Sequence, residues 1–108
     1  MSHNVGDEIF GWVRDLFPIC RSLTGAGVRE TLGYLKELLP ELTIHEVPSG
    51  TQAFDWTVPD EWNISDAYVA DAEGRRVIDF KRSNLHVMGY SAPVDEELDL
   101  AELKEHLH

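Results

Sequence analysis

The stretch Val47–Ile64, VPSGTQAFDWTVPDEWNI, limits most strongly how this chain folds. It carries Trp56 and Trp62 together with two prolines. Each proline fixes its own φ angle and pushes the preceding residue towards extended backbone, while large rings bury much area and fix their neighbours. The stretch is therefore predicted to be an ordered, extended connection held by its rings.

Two helix-like segments precede this stretch. Apolar residues recur at steps of three and four over residues 6–17, which predicts an amphipathic helix that Pro18 ends. Thr24 or Gly25 is the expected N-cap of a second helix, which continues to about Leu39. Because the turn between them is short, the two helices are predicted to pack antiparallel.

Strand-like segments lie on both sides of the stretch. Leu42–Val47, LTIHEV, is rich in β-branched residues and is predicted to be a strand. Residues 63–71 and 75–80 flank a turn at Gly74, which predicts a β-hairpin. Leu85–Tyr90 is the last predicted strand.

Residues 95–108 predict a short acidic helix with leucines along one edge. The expected fold is therefore α+β: an N-terminal antiparallel helix pair, a small mostly antiparallel β-sheet with a hairpin, and a short C-terminal helix. A length of 108 residues suits one small domain or a piece of a larger one.

The charge balance excludes several partners. The chain has nine basic and twenty acidic residues, which give a net charge of −11. Nucleic acid and anionic membranes need a basic surface, so neither is expected as a partner. The chain has no long apolar run and no N-terminal signal pattern, and its single cysteine, Cys20, fits a reducing cytoplasm. A cytoplasmic location is therefore predicted.

The familiar catalytic motifs are absent from the sequence. It contains no glycine-rich phosphate loop, no nucleophile elbow and no paired histidine or cysteine zinc motif. His106 and His108 are two apart and would point to different sides of a helix, so they are a weak metal candidate. No catalytic residue and no metal ligand is predicted in this chain.

Two groups of side chains are candidates for substrate binding. Basic and hydroxyl residues before and within the second helix could bind an anion at its N-terminus, although turn capping explains them as well. Acids beside aromatic rings could have raised pKa values, although such acids also serve solubility. The predicted substrate-binding residues are Arg21, Ser22, Thr24, Arg29, Asp55, Trp56 and Glu61.

Three phrases together carry a family resemblance: LFPICRSLTGAGVRETL, VPSGTQAFDWTVPDEWNISDAYV and RRVIDFKRSNLHVMGYSAPV. Over about residues 8–108 the chain resembles the N-terminal part of bacterial aminopeptidase-like domain proteins, a family often connected with polysaccharide biosynthesis. The resemblance implies a zinc-exopeptidase-like fold that carries an inserted β-rich domain of unknown function.

The resemblance also implies how the chain is divided. Residues 1–47, with two helices and a strand, would begin the peptidase-like domain, and residues 48–108 would form the first part of the insert. The zinc ligands of the family would lie after residue 108. On this interpretation the chain is the N-terminal fragment of a zinc aminopeptidase-like hydrolase, a scaffold that is inactive alone. Its partners would be the remainder of its own polypeptide and a peptide substrate, with a homo-oligomer left open.

The alternative is a self-contained acidic binding module that holds a cationic peptide or a sugar through Trp56 and Trp62. The two interpretations differ in the surface they require. A fragment should leave apolar surface exposed, whereas a binding module should present its tryptophan rings in a concave site.

Overall fold

The computed structural model describes residues 4–108. Within this range the regular elements are α1 (Val5–Leu16), α2 (Ala26–Leu38), β1 (Gln52–Ala53), β2 (Trp56–Thr57), β3 (Tyr68–Ala70), β4 (Arg76–Asp79), a 3-10 helix (Asn84–His86) and α3 (Leu100–Lys104). The strands form two separate two-stranded antiparallel sheets, β1–β2 and β3–β4. This order of a helix pair, small antiparallel sheets and a short C-terminal helix confirms the predicted α+β class.

Both long helices begin and end where local chemistry requires. The side chain of Asn4 accepts a hydrogen bond of 3.0 Å from the Gly6 amide, so it caps α1. The helix stops before Pro18, as predicted. Gly25 is the N-cap of α2, and the helix ends at Leu38, just ahead of Pro40.

The two helices are joined by a side-chain hydrogen bond. The phenol of Tyr34 donates to Asp15 Oδ2 at 2.8 Å. This bond favours the protonated phenol, so it raises the pKa of Tyr34 above its usual value of 10.0. The contact links the last turn of α1 to the middle of α2.

The β3–β4 hairpin is the predicted one, with shorter strands. Val69 pairs with Ile78 across the ladder. The turn residue Gly74 adopts a left-handed φ of 81°, which a glycine accepts without strain. Asp71 Oδ1 accepts hydrogen bonds from the amides of Glu73 and Arg75, so the side chain completes the turn.

Ion pairs brace the same hairpin from one side. Arg76 Nη2 lies 2.9 Å from Asp66 Oδ2, and its guanidinium carbon lies 3.9 Å from the ring centroid of Tyr68. The hydrogen bond from Arg76 lowers the pKa of Asp66 below its usual 3.8, and Lys81 adds a weaker attraction from 3.7 Å. The hairpin is therefore held by charge as well as by its backbone ladder.

The stretch Val47–Ile64 differs from the extended connection predicted for it. It turns back on itself as the β1–β2 hairpin, in which Ala53 pairs with Trp56 across a two-residue loop. The loop residues are Phe54 and Asp55, which lack the Asn-Gly or Gly-X signal of most tight hairpins, so the pattern did not reveal it.

Three predicted elements are wrong or too long. Residues 42–47 form no strand, and residues 85–90 hold the end of a 3-10 helix and a turn in place of the predicted strand. A strand requires a neighbour to pair with, and neither segment has one among residues 4–108. The C-terminal helix covers only Leu100–Lys104 of the predicted 95–108.

Residues 4–108 form a thin plate without a core. Its dimensions are 53 × 47 × 19 Å, and its radius of gyration is 18.5 Å, whereas a compact domain of this length has about 13 Å. None of the apolar side chains among residues 4–108 is buried. One face of α1 shows this clearly, with Phe10 at 67% exposure alongside exposed Val5, Ile9, Val13 and Phe17. The exposed apolar surface expected of a fragment is therefore present.

Candidate functional site

Residues 22–26 meet residues 61–63 in a set of backbone contacts that we call the helix-start junction. The amide of Trp62 donates to the carbonyl of Thr24 at 3.2 Å. The hydroxyl of Ser22 lies within hydrogen-bond distance of the Trp62 carbonyl (3.0 Å) and of the Thr24 carbonyl (2.6 Å). The junction fixes the start of α2 against the far end of the Val47–Ile64 stretch.

Gly25 makes this close approach possible. It is the one buried residue in the described range, and its φ of 153° lies in a region that side-chain-bearing residues rarely adopt. A Cβ atom at this position would lie 2.6 Å from the Trp62 carbonyl oxygen and 2.8 Å from Asn63 Oδ1. Only glycine fits here without a shift of the neighbouring segment.

Asn63 completes the junction by capping α2. Its Oδ1 accepts a hydrogen bond of 2.6 Å from the amide of Ala26. A helix N-terminus leaves several amide groups without partners inside the helix, and a side-chain oxygen commonly satisfies one of them. Here the cap comes from 37 positions further along the chain, so no local pattern could have revealed it.

The basic residues predicted to bind an anion have partners within the chain. Arg21 Nη1 donates to the Leu16 carbonyl at 2.9 Å and lies 3.2 Å from Thr31 Oγ1. Arg29 forms an ion pair with Glu61. The structure thus brings Arg21, Ser22, Thr24, Arg29 and Glu61 to the start of α2, and their substrate-binding role stays a prediction.

Asp55 and Trp56, the other predicted substrate-binding residues, lie elsewhere. Both belong to the β1–β2 hairpin, with Asp55 in its loop and Trp56 at the start of β2. Trp56 is about half exposed, at 52%. No hydrogen bond or ion pair between this hairpin and the helix-start junction is present in the described range.

Trp62 has a structural role. Its Nε1–H donates to the carbonyl of Ser91 at 2.9 Å, and its ring lies 6.1 Å from the Tyr90 ring, centroid to centroid. Tyr90 holds a left-handed φ of 65°, and its hydroxyl approaches the Asp60 carbonyl at 3.4 Å. These contacts join residues 90–91 to the end of the Val47–Ile64 stretch. The ring of Trp62 therefore fixes its neighbours, as predicted for the rings of this stretch.

Two open clefts flank the backbone at Ile19 and Cys20. One has a volume of about 410 Å³ and is lined by residues that include Glu30 and Asn63. The other, about 190 Å³, lies between Cys20 and Trp62. Cys20 itself is a free, half-buried thiol. Both clefts therefore border the helix-start junction.

Residues 4–108 contain no group of three or more His, Cys, Asp or Glu side chains arranged to hold a metal ion. Among the helices described between those positions, none is both long and apolar enough to cross a membrane.

Three similarities place the chain among known proteins. A family described as "Domain of unknown function (DUF4910)" matches residues 10–105. A Clostridium acetobutylicum protein named "Putative polysaccharide biosynthesis protein with aminopeptidase-like domain" is 57% identical over 107 residues, which are 99% of this chain and 24% of that protein. A crystal structure of a "putative peptidase" from the same species superposes with a TM-score of 0.92 at 58% identity, over 96% of this chain and 24% of the other.

The chain thus spans about a quarter of the length of each relative. The similarities confirm the resemblance found in the three sequence phrases.

Proposed function

The chain belongs to the family described as a domain of unknown function, DUF4910, and from this membership we propose that it is a structural part of an aminopeptidase-like hydrolase. Support comes from the relative named for an aminopeptidase-like domain and from the crystal structure titled a "putative peptidase", which has the same conformation at a TM-score of 0.92. In this role the chain shapes and supports an active site whose catalytic groups lie in the remaining polypeptide.

The observation that carries the proposal is the absence of a core among residues 4–108. Twenty-one large apolar side chains are exposed, and none is buried. A monomeric protein rarely leaves so much apolar surface in contact with water. The same conformation occurs in the crystal structure titled a "putative peptidase", whose chain is about four times as long, so the proposed partner of this surface is the remainder of a peptidase-like polypeptide.

The proposed division of the chain follows the family resemblance. Residues 1–47 begin the peptidase-like domain and residues 48–108 the inserted β-rich domain, and the helix-start junction would then be the seam between them. Zinc does not fit any set of side chains among residues 4–108, so no step of a reaction is assigned to a metal here. We propose that the remaining polypeptide supplies the zinc ligands and that the protein works in the cytoplasm on a peptide.

Five of the seven predicted substrate-binding residues meet at the start of α2, and they enter the proposal as neighbours of the substrate cleft: Arg21, Ser22, Thr24, Arg29 and Glu61. The guanidinium of Arg21 also joins α1 to α2. A test of Arg21 must therefore separate substrate binding from this structural contact. Arg21→Lys keeps the charge and Arg21→Ala removes it. A binding role predicts that the alanine variant raises KM and the lysine variant restores it in part. Unchanged KM in both variants would leave Arg21 with a structural role alone.

A hybrid protein tests the proposed function. In this hybrid, the matching quarter of the Clostridium relative is replaced by the present chain, a substitution that 57% identity supports. We expect the hybrid and the intact relative to hydrolyse aminoacyl p-nitroanilides, and the isolated chain to be inactive. A chelator should abolish hydrolysis, and zinc should restore it.

Each part of the proposal can fail separately. An intact relative that hydrolyses none of these substrates would contradict the peptidase assignment. An active relative with a folded but inactive hybrid would contradict the view that the present chain is an equivalent structural part. Hydrolysis by the isolated chain would contradict the assignment of catalytic groups to the remaining polypeptide.

A further inference from the structure

The β1–β2 hairpin is held together by its own bonds. Gln52 pairs with Thr57 in the ladder, and their side chains join through a 2.8 Å hydrogen bond from Nε2 to Oγ1. Beyond the strands, the amide of Gly50 donates to the Val58 carbonyl at 2.8 Å, and the amide of Val58 donates to the Thr51 carbonyl at 2.9 Å. The hairpin therefore presents its loop in a defined position.

Phe54, the first loop residue, is in an unfavourable state on two counts. Its φ of 59° is left-handed, a conformation that costs a side-chain-bearing residue free energy. Its side chain is also fully exposed, at 104%, the highest value among the large apolar residues of the described range. A glycine in this loop position would avoid both costs.

We propose that Phe54 is an anchor that inserts into an apolar pocket on the remaining part of a peptidase-like polypeptide. The proposal rests on the function proposed above. Truncating a phenylalanine ring that fills a pocket costs more free energy than one strained backbone residue does, so the strained loop is stable once the ring is covered. A hairpin that is already formed also loses little entropy when it docks.

The remaining polypeptide fits this role better than a second copy of the chain does. The relatives provide about three quarters of a chain beyond the part matched here, and in the crystal structure the matched part has the conformation of this chain, with a TM-score of 0.92. Two copies would each bring a net charge of −11, with Asp55 next to the anchor and Asp60 nearby in sequence. Like charges of this size oppose association at the hairpin.

Thiol labelling measures whether the tip of the β1–β2 hairpin, which is the loop position of Phe54, is covered by another part of the protein. In a Cys20→Ser background, the thiol introduced by Phe54→Cys is labelled with a maleimide in the isolated chain and in the hybrid protein. We expect labelling to be at least tenfold slower in the hybrid, and urea to restore the fast rate. Glu73→Cys, in the loop of the other hairpin, reports whether the slowing is specific to the tip. Equal rates for Phe54→Cys in the two proteins would overturn the proposal.

A second pair of variants separates the ring from the strain. Phe54→Gly removes both, whereas Phe54→Leu keeps an apolar side chain in the strained position. An anchor predicts that Phe54→Gly lowers the Tm of the hybrid although it relieves strain, and that Phe54→Leu lowers it less. A Phe54→Gly variant with unchanged or raised Tm contradicts the anchor, because strain would then be the main effect of the residue.

The remaining outcomes also decide the question. Protection of Phe54→Cys, but not of Glu73→Cys, that appears in the isolated chain and grows with its concentration assigns the Phe54 loop to a second copy and overturns the proposal. A tip that stays fully accessible in the hybrid, with KM raised by Phe54→Gly, assigns it to substrate and overturns the proposal as well. Neither labelling nor Tm depends on hydrolysis, so a protected tip in an inactive hybrid contradicts the proposed function and supports the anchor.

Discussion

The amide of Ala26 and the side-chain oxygen of Asn63 are 2.6 Å apart, so the start of α2 is capped from a distant part of the chain. Gly25, the N-cap residue, has no side chain with which to do this. The bond joins the helical part to the stretch that carries the tryptophans.

Removing the distant cap should loosen the first turn of α2. Asn63→Ala leaves the Ala26 amide without its acceptor, a change that costs about 0.5–2 kcal/mol at a helix N-cap. Hydrogen exchange of the hybrid, followed by mass spectrometry, should show the α2 peptide exchanging roughly 2- to 30-fold faster. Asn63→Asp keeps an acceptor oxygen and should stay close to the parent rate. An unchanged rate in Asn63→Ala would show that the bond contributes nothing.

Two glycines within α2 should respond oppositely to alanine. At Gly27 a Cβ atom would collide with the carbonyl oxygen of Cys20, whereas at Gly33 nothing lies within 4 Å. Gly27→Ala should therefore destabilise by roughly 1–3 kcal/mol, and Gly33→Ala should stabilise by about 0.5–1 kcal/mol through better helix propensity. Thermal unfolding of the two variants of the isolated chain, for which these distances hold, checks the signs. Equal effects would show that the Cys20 backbone moves aside.

The apolar face of α1 should dominate the behaviour of the isolated chain. Phe10 is 67% exposed on this face, so the chain should bind the dye ANS and associate as its concentration rises. Phe10→Gln should reduce both effects, whereas Arg14→Gln, which changes no apolar residue, should not. Dye fluorescence and light scattering provide the measurements. Equal dye binding in the two variants would show that the dye binds to apolar residues outside α1.

Acid should release the ion pair that braces β3–β4. Arg76 lowers the pKa of Asp66 below 3.8 in the folded hairpin. The stabilisation is therefore present above the unfolded value and is lost as the pH falls through the lower, folded value. An NMR titration of the isolated chain should show Tyr68 shifting with a midpoint below pH 3.8. Asp66→Asn should abolish this step and Glu73→Gln should leave it, whereas a step that survives in Asp66→Asn belongs to another group.

The elements that were predicted correctly are those whose signals lie close together in the sequence. The helices α1 and α2 follow a period of 3.6 and are ended by Pro18 and Pro40, and the β3–β4 turn needs the left-handed Gly74. These signals act within a few residues, and the structure follows them closely.

The sequence did not predict features that depend on residues far away in the chain. Residues 42–47 have the composition of a strand but no partner among residues 4–108. The leucines of residues 95–108 lack a surface to pack on, so only five residues of the predicted helix form. Within the candidate site, the predicted residues of the α2 start do come together. The cap from Asn63 was not foreseen, because no rule of spacing connects it to Ala26.

The 19 Å thickness of the plate changes how its mutations should be interpreted. A helix with its side chains is already about 10–12 Å across, so there is little depth in which a side chain could be enclosed. In a scan of the isolated chain, substitutions at large apolar positions such as Phe10 or Phe54 would leave its stability unchanged, whereas substitutions at closely packed or left-handed glycines such as Gly25 and Gly74 would lower it. The same scan in a full-length protein should reverse this ranking for the apolar positions. Tolerance to mutation is, for this chain, a property of the polypeptide that surrounds it.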